Sequence, residues 1–291
     1  MDQPNYGVIN SGSGTTNITN SGIGQNVTVR NTAPAQGRAA ISTEIGVITV
    51  LSEETAAMAE LLRQGFGYRQ STEPDGTVLH EAMLETSLRP IRTVLLQSLG
   101  QGQRSAIVAY QGLRRRCEAQ VVALVGIAGG IHPQARIGDV VVADEVIYYD
   151  RRRDEGEGVQ RRSQSYRVTS SIQRGINAFF SMRGEPCGMG DFTVWRGPIA
   201  SGEAVIASAD SDIRQYLRRY SDKILAVETE AGGVAQGFYE EAESDSTLRG
   251  WLTIRGVSDY ADAAKDDRHR WRAAQNAAKV LAEMAPYLVT G

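Results

Sequence analysis

The sequence is poor in the residues that build disulfide scaffolds and metal sites, with 2 cysteines and 3 histidines in 291 residues. Cys117 and Cys187 are far apart, and His80, His132 and His269 are scattered, with no ligand-type spacing among them. A structural disulfide framework is therefore not indicated, no metal or other cofactor is expected, and the expected compartment is a reducing cytoplasm. Charge of one sign is lacking too. Lys+Arg number 31 against 34 Asp+Glu, and a net charge of -3 gives no electrostatic case for nucleic acid or an acidic membrane as partner. No run approaches the roughly 18 apolar residues that a membrane helix needs. The first residues carry neither the basic nor the apolar region of a signal peptide. What is present is ordinary for a globular protein: 41% hydrophobic and 22% charged residues, in a chain long enough to bury the core of a large α/β domain.

Residues 1–40 form a separate compositional block of Gly, Ser, Thr and Asn, where only Asp2, Arg30 and Arg38 carry charge. The stretch Asn10-Ser11-Gly12-Ser13-Gly14 recurs as Asn20-Ser21-Gly22-Ile23-Gly24, and Ile18, Val27 and Val29 alternate with Thr and Asn. Such a tail is either a solvated, disordered leader or a β-prone segment able to stack into cross-β ladders or to dock as a strand. It resembles the short amyloid-signalling motifs that precede effector domains in immune-type receptor systems. That resemblance implies a receptor sharing the motif as partner and an effector role for the domain behind the tail.

From Ile41 the text changes to an α/β rhythm. "IGVITVL" (45–51) reads as a buried strand, followed by a helix over "SEETAAMAELL" that Ser52 can cap, with Glu53 and Glu54 in its first turn. "AIVAYQ" (106–111) reads as a strand, "AQVVALVGIAGGI" (119–131) as a strand entering a glycine turn, and "GDVVVADEVIYYD" (138–150) as one further strand. "KILAVETEAGGVAQGFYEE" (223–241) reads as strand then helix, and "GWLTIRGVSDYAD" (250–262) as a strand ending in a polar turn. "DDRHRWRAAQNAAKVLAEMA" spaces its apolar residues for a long helix. The alternation argues for a largely parallel sheet covered on both faces. The arginine-rich "YDRRRDEGEGVQRRSQSYR" (149–167) reads as a surface loop, either plainly solvated or a phosphate-binding lid. "RRRC" (114–117) reads as a helix end or turn, and Trp195, Trp251 and Trp271 as core or interface anchors.

Carboxylates at the ends of buried strands draw attention, because α/β sheets place ligands there. Three places qualify: Glu53–Glu54, Glu228 with Glu230, and Asp259. Any one alone could be a helix cap. With the glycine stretch "GIAGG" and the turn "ASGEAVI" (200–206) they point together to one site.

The blocks "IGVITVLSEE", "VGIAGGIHPQARIGDVVVADEVIYYD", "IASGEAVI", "AVETEAGGVA" and "IRGVSDYAD" resemble, in order and spacing, the purine nucleoside phosphorylase and methylthioadenosine/S-adenosylhomocysteine nucleosidase superfamily, over about residues 43–288. The resemblance implies one phosphorylase-type α/β domain over residues 41–291, built on a central mixed, twisted β-sheet flanked by helices. It implies Asp259 as the general acid toward N7 of a purine, Glu54 as the residue orienting the attacking water, and Glu230 as the holder of the ribose hydroxyls. Val205 would face the base and the backbone of Ile206 would read its edge. Glu228, Thr229, Ala128 and Gly129 complete the expected substrate-binding set. The family also implies a homo-oligomer.

Those roles suit the chemistry. Cleaving a purine glycosidic bond leaves a cation-like sugar and an anionic base, so a proton delivered to N7 helps the base depart. A carboxylate on the ribose hydroxyls favours the sugar as positive charge develops. Phosphorylases of this family carry a glycine- and arginine-containing loop after the first strand and a hydroxyl residue in the glycine turn. Here the strand runs straight into "SEETAAM", and Ile127 takes the hydroxyl's place, which favours water as nucleophile. Val205 and Thr229 stand where the family has phenylalanine and methionine. No apolar pocket for a methylthio group is evident, and the arginine-rich 149–167 segment suggests a substrate carrying phosphate at its 5′ end, so adenine nucleotides, ATP among them, are the expected substrates. A phosphate-dependent phosphorylase and a non-catalytic nucleotide-sensing scaffold remain the alternatives.

Overall fold

The computed structural model describes residues 40–155, 158–241, 247–263 and 267–289. The expectations for the N-terminal tail therefore lie outside the described residues. The described part opens with β1 (Ile41–Thr49), α1 (Ser52–Gln64), β2 (Phe66–Thr72), β3 (Val78–Leu84), β4 (Ile91–Gln97), α2 (Gln103–Arg116) and the long β5 (Cys117–Gly130). Next come β6 (Val140–Ala143), β7 (Glu145–Tyr148), β8 (Arg152–Glu155), β9 (Gly158–Arg161), β10 (Gln164–Arg167) and α3 (Ser170–Arg183). Short strands β11 (Cys187–Met189), β12 (Phe192–Arg196) and β13 (Ile199–Ser201) precede α4 (Asp212–Tyr220), β14 (Ala226–Glu228) and α5 (Ala231–Glu241). β15 (Gly250–Asp259) and α6 (Arg270–Leu288) close it.

β5 organises the sheet. It runs parallel to β1 along its first half and parallel to β15 along its second, and its last two glycines pair antiparallel with β14. From there the order is β10-β7-β13-β14-β5-β1-β4-β3-β2, with β6 and β12 branching from β15. The sheet is mixed: β2, β3 and β10 run antiparallel to their neighbours, as does β6 against β15. The strands at the centre, such as β15, are buried along their whole length, which is why they read as continuous apolar runs. Helices flank the sheet; α6 packs on β15, β5 and α1, and α2 packs on α5.

Several local expectations are corrected. The segment 106–111 is helix, inside α2, because its buried residues Ala106, Ala109, Tyr110 and Leu113 recur at helical spacing, while Val108 is exposed. The single strand expected over 138–150 breaks at Asp144 into β6 and β7, which have different partners. "GIAGG" is extended strand, and its glycines serve close approach instead of a turn: a Cβ on Gly130 would meet Val257 at 2.9 Å. The arginine-rich segment is not a plain loop. It forms the β8–β9 ribbon and the edge strand β10, anchored by the buried Tyr149 and Tyr166. Ser52 is the first residue of α1 instead of its cap; Glu54 reaches back to the N–H groups of Val50 and Leu51.

Candidate active site

The C-terminal ends of β1, β5, β13, β14 and β15 open onto one cleft. The nine residues expected as catalytic or substrate-binding line it, whereas Glu53, named beside Glu54 in the sequence, does not. Glu54 enters from α1, Ala128 and Gly129 from β5, and Val205 and Ile206 from the segment after β13. Glu228, Thr229 and Glu230 enter from β14 and the start of α5, and Asp259 from the end of β15. Among the described residues no tryptophan or histidine lines the cleft, and none of the β8–β9 ribbon does. Among the described residues no group of His, Cys, Asp and Glu is arranged to hold a metal ion.

The floor is a buried charge cluster around Arg255, on β15. This guanidinium is fully buried, and its Nη2 donates to Glu228 and, at 2.9 Å, to Glu230 Oε2. Its Nη1 stands 3.7 Å from Glu54 Oε1. Burial alone would weaken the Arg255 cation, but Glu228, Glu230 and Glu54 more than offset it and raise its pKa. Among the described residues Nε and Nη1 find no hydrogen-bond acceptor. Burial pushes the Glu54 carboxyl above the ordinary glutamate range, against the pull of Arg255 and of three backbone N–H groups. Those donors are Val50 and Leu51 on one oxygen and Ile127 on the other. Gly126 makes room for the cluster, since a Cβ there would lie 2.3 Å from both Arg255 Nη1 and Glu54 Oε1.

The two glutamates of "ETE" have different surroundings. Glu228 accepts from the N–H groups of Glu230 and Ala231, holding the start of α5. Burial, with the nearby Glu230 charge adding to it, raises its pKa against the pull of Arg255. Glu230 faces the cleft, with the Gly102 N–H donating to its Oε1 at 3.0 Å and the Thr229 hydroxyl donating to the same oxygen. Gln103, at the start of α2, holds this corner. Its amide donates to Ser201 Oγ and to the Thr229 carbonyl, and its Oε1 accepts the Gly233 N–H.

Asp259 follows a register shift between β15 and β5 at Val257–Asp259, the kind of bulge that re-aims a side chain. Its carboxylate is buried and accepts from Ser258 Oγ at 2.9 Å and from the Ala261 N–H at 2.8 Å. Ala261 has a left-handed backbone, φ 50°, uncommon for a residue with a Cβ. Arg214 of α4 pins that turn, donating from Nη1 to the carbonyls of Tyr260 (2.6 Å) and Ala261 (3.1 Å). Beyond Asp259 the wall is apolar, formed by Ile206, Val227 and Ala261, with Val205 exposed at the mouth. The segment carrying Val205 is tied to Tyr149, whose hydroxyl donates to the Ala204 carbonyl and whose ring packs where a Cβ of Gly202 would fall.

Sequence reasoning missed Arg255, Gln103, Arg214 and the cleft-lining Arg270. For Arg255 a signal exists: one charge inside "WLTIRGVSD", a strand otherwise apolar until its end. The other three come from helix ends whose placement only the fold supplies.

The phosphorylase superfamily model matches residues 44–286. Among curated proteins the chain is similar to the ATP nucleosidase Cap17 of Escherichia coli, 24% identical over 261 residues, covering 81% of this chain and 50% of the relative. The chain thus spans about half the length of the curated relatives it matches. Among solved structures it is similar to the 5′-methylthioadenosine/S-adenosylhomocysteine nucleosidase of Neisseria meningitidis in complex with methylthio-immucillin-A, at 25% identity and TM-score 0.63, covering 83% of this chain and 98% of that one. The adenine complex of the corresponding Colwellia psychrerythraea enzyme (20% identity, TM-score 0.67, 85% and 96% covered) shares the fold. So does the futalosine hydrolase of Helicobacter pylori (19% identity, TM-score 0.65, 84% and 97% covered).

Proposed function

The chain belongs to the phosphorylase superfamily, and from that premise we propose that it hydrolyses the N-glycosidic bond of an adenine nucleoside or nucleotide, ATP among them, releasing free adenine. In this reading Asp259 hands a proton to N7 as the base leaves, a contribution of roughly 10²–10⁴-fold. Glu230 accepts the ribose hydroxyls, and its charge favours the sugar as positive charge develops at C1′. Glu54 accepts a proton from the attacking water, and Arg255 beneath it keeps the buried carboxylate compensated. The products are adenine and the free sugar or sugar phosphate; the water's hydroxyl ends on C1′.

The observation that carries the choice of water over phosphate is the Glu54 carboxylate. It is buried in the cleft, bonded to the Ile127 N–H, and flanked by the apolar Ile127 side chain. A phosphate dianion placed there would meet a like charge in a poorly solvated site, whereas a water would be polarised by it. The name of the Cap17 relative supports ATP as a substrate, and the names of the structural relatives support an adenine-containing one. An effector role driven by the N-terminal tail, and a homo-oligomeric state, belong to the same proposal.

The test is chromatographic detection of adenine after incubation with ATP, AMP, adenosine and methylthioadenosine. Release without added phosphate supports hydrolysis. Release that requires phosphate makes the protein a phosphorylase, and no release from any of the four contradicts the proposal in favour of a sensing module.

A further inference from the structure

The cleft has a part that the base, the ribose hydroxyls and the attacking water do not account for. The apolar wall beside Asp259 suits the base, Glu230 and Thr229 suit the hydroxyls, and Glu54 with Ile127 suits the reacting carbon. What remains is Val50 and Leu51 ahead of α1, Gln101 ahead of α2, and Arg270 at the start of α6. The ribose carbon bearing the 5′ substituent is the one part of a nucleoside still without neighbours, so its substituent extends toward this group. For a thioalkyl substituent the remaining wall would have to be apolar, and half of it is amide and guanidinium.

Arg270 is the charged member of that group. Its side chain is about a quarter exposed, 27%, and its Nη2 pairs with Asp267 at 2.7 Å. Its Nη1 is 4.0 Å from Glu53, which sets the guanidinium against the first turn of α1. Asp267 and Glu53 are themselves 70% and 40% exposed, so both can turn to solvent when a stronger anion arrives. A planar guanidinium with several donors matches phosphate oxygens better than it matches a single mobile carboxylate. The arginine-rich segment 149–167 suggests itself for phosphate, but none of its described residues lines the cleft, and Arg161 there is engaged by Asp150 and lies over the rings of Tyr149 and Tyr216.

We infer that Arg270 recognises the phosphate attached to C5′, so that the enzyme selects 5′-phosphorylated adenine nucleotides over nucleosides with a free or apolar 5′ end. The inference rests on the glycosidase reading above and adds the residue that sets its substrate class. Gln101, on the opposite segment, supplies a neutral donor to the same group.

The test compares kcat/KM for AMP and for adenosine in the parent, Arg270→Gln and Arg270→Lys, with adenine release as readout. The parent should favour AMP. In Arg270→Gln the AMP-to-adenosine ratio should fall by roughly 10–100-fold, mainly through KM for AMP, and Arg270→Lys should restore part of it. A ratio that stays within about twofold of the parent's in Arg270→Gln overturns the assignment while leaving the glycosidase reading intact. A parent that prefers methylthioadenosine to AMP overturns it as well. Absence of adenine from every substrate removes both readings together. Because the ratio is taken within each variant, partial loss of folded protein does not disguise the result.

Discussion

Arg255 and Glu230 meet at 2.9 Å beneath the cleft, with the guanidinium fully buried and the carboxylate nearly so. The same arginine touches Glu228 and approaches Glu54. One cation therefore holds three carboxylates that would otherwise repel one another in a poorly solvated space. Removing it leaves buried charge without compensation, which costs far more than an exposed pair would. Arg255→Met should lower unfolding free energy by about 3–5 kcal/mol in urea titrations, and Glu228→Gln in the Arg255→Met background should recover part of the loss. A midpoint unchanged in Arg255→Met would contradict this reading of the cluster.

Glu54 gives the acid side of the pH profile. Burial raises its carboxyl above 4.5, and Glu54 must be ionised to take a proton from water. As pH falls through that raised value the carboxyl becomes protonated and activity is lost, so the acid limb of kcat/KM should lie above the ordinary glutamate range. Because Glu54 shares Arg255 with Glu228 and Glu230, the limb is a property of the cluster. Glu54→Gln should remove it and lower kcat by about 10²-fold or more. A wild-type limb at or below the ordinary value would argue against Glu54 as the base.

Gly126 should tolerate no side chain. Its added Cβ would press on both Arg255 and Glu54 at 2.3 Å, and either would have to leave the cluster's hydrogen bonds to make room. Gly126→Ala should reduce kcat by at least about 10-fold and cost about 1–3 kcal/mol of stability, measured by steady-state kinetics and urea midpoints. Parental kinetics in that variant would mean the cluster can shift as a unit without loss.

Arg214 acts on Asp259 through the turn that follows it. Loss of its two bonds to the Tyr260 and Ala261 carbonyls frees a strained turn whose N–H positions the Asp259 carboxylate. Arg214→Met should lower kcat by about 10-fold with KM changed little, and Arg214→Lys should recover some of it. An effect confined to KM or to thermal stability would make Arg214 merely structural.

The strand-end carboxylates were legible because a charge closing an apolar run has few reasons to be there, and the order of blocks made the phosphorylase-type sheet legible as well. What escaped reading has physical causes. A contiguous apolar run such as 106–111 carries no period of its own; α2 declares itself only through which of its residues face α5 and the sheet. The break at Asp144 depends on β6 and β7 finding separate partners. Arg255 was hidden by the rule that mid-strand residues are core, although a buried arginine inside a strand requires buried acids to meet it. Arg214 and Gln103 act from helices distant in sequence and Arg270 from the helix after β15, so their roles follow from the fold and from no local pattern.

The central claim is proton delivery by Asp259, and the most direct measurement is adenine release by Asp259→Asn, with urea unfolding and AMP binding confirming an intact cleft. The amide keeps the shape and the contacts of the side chain but has no acidic proton to give. Release should fall by about 10²–10⁴-fold while AMP still binds. Release at the parental rate would contradict the account.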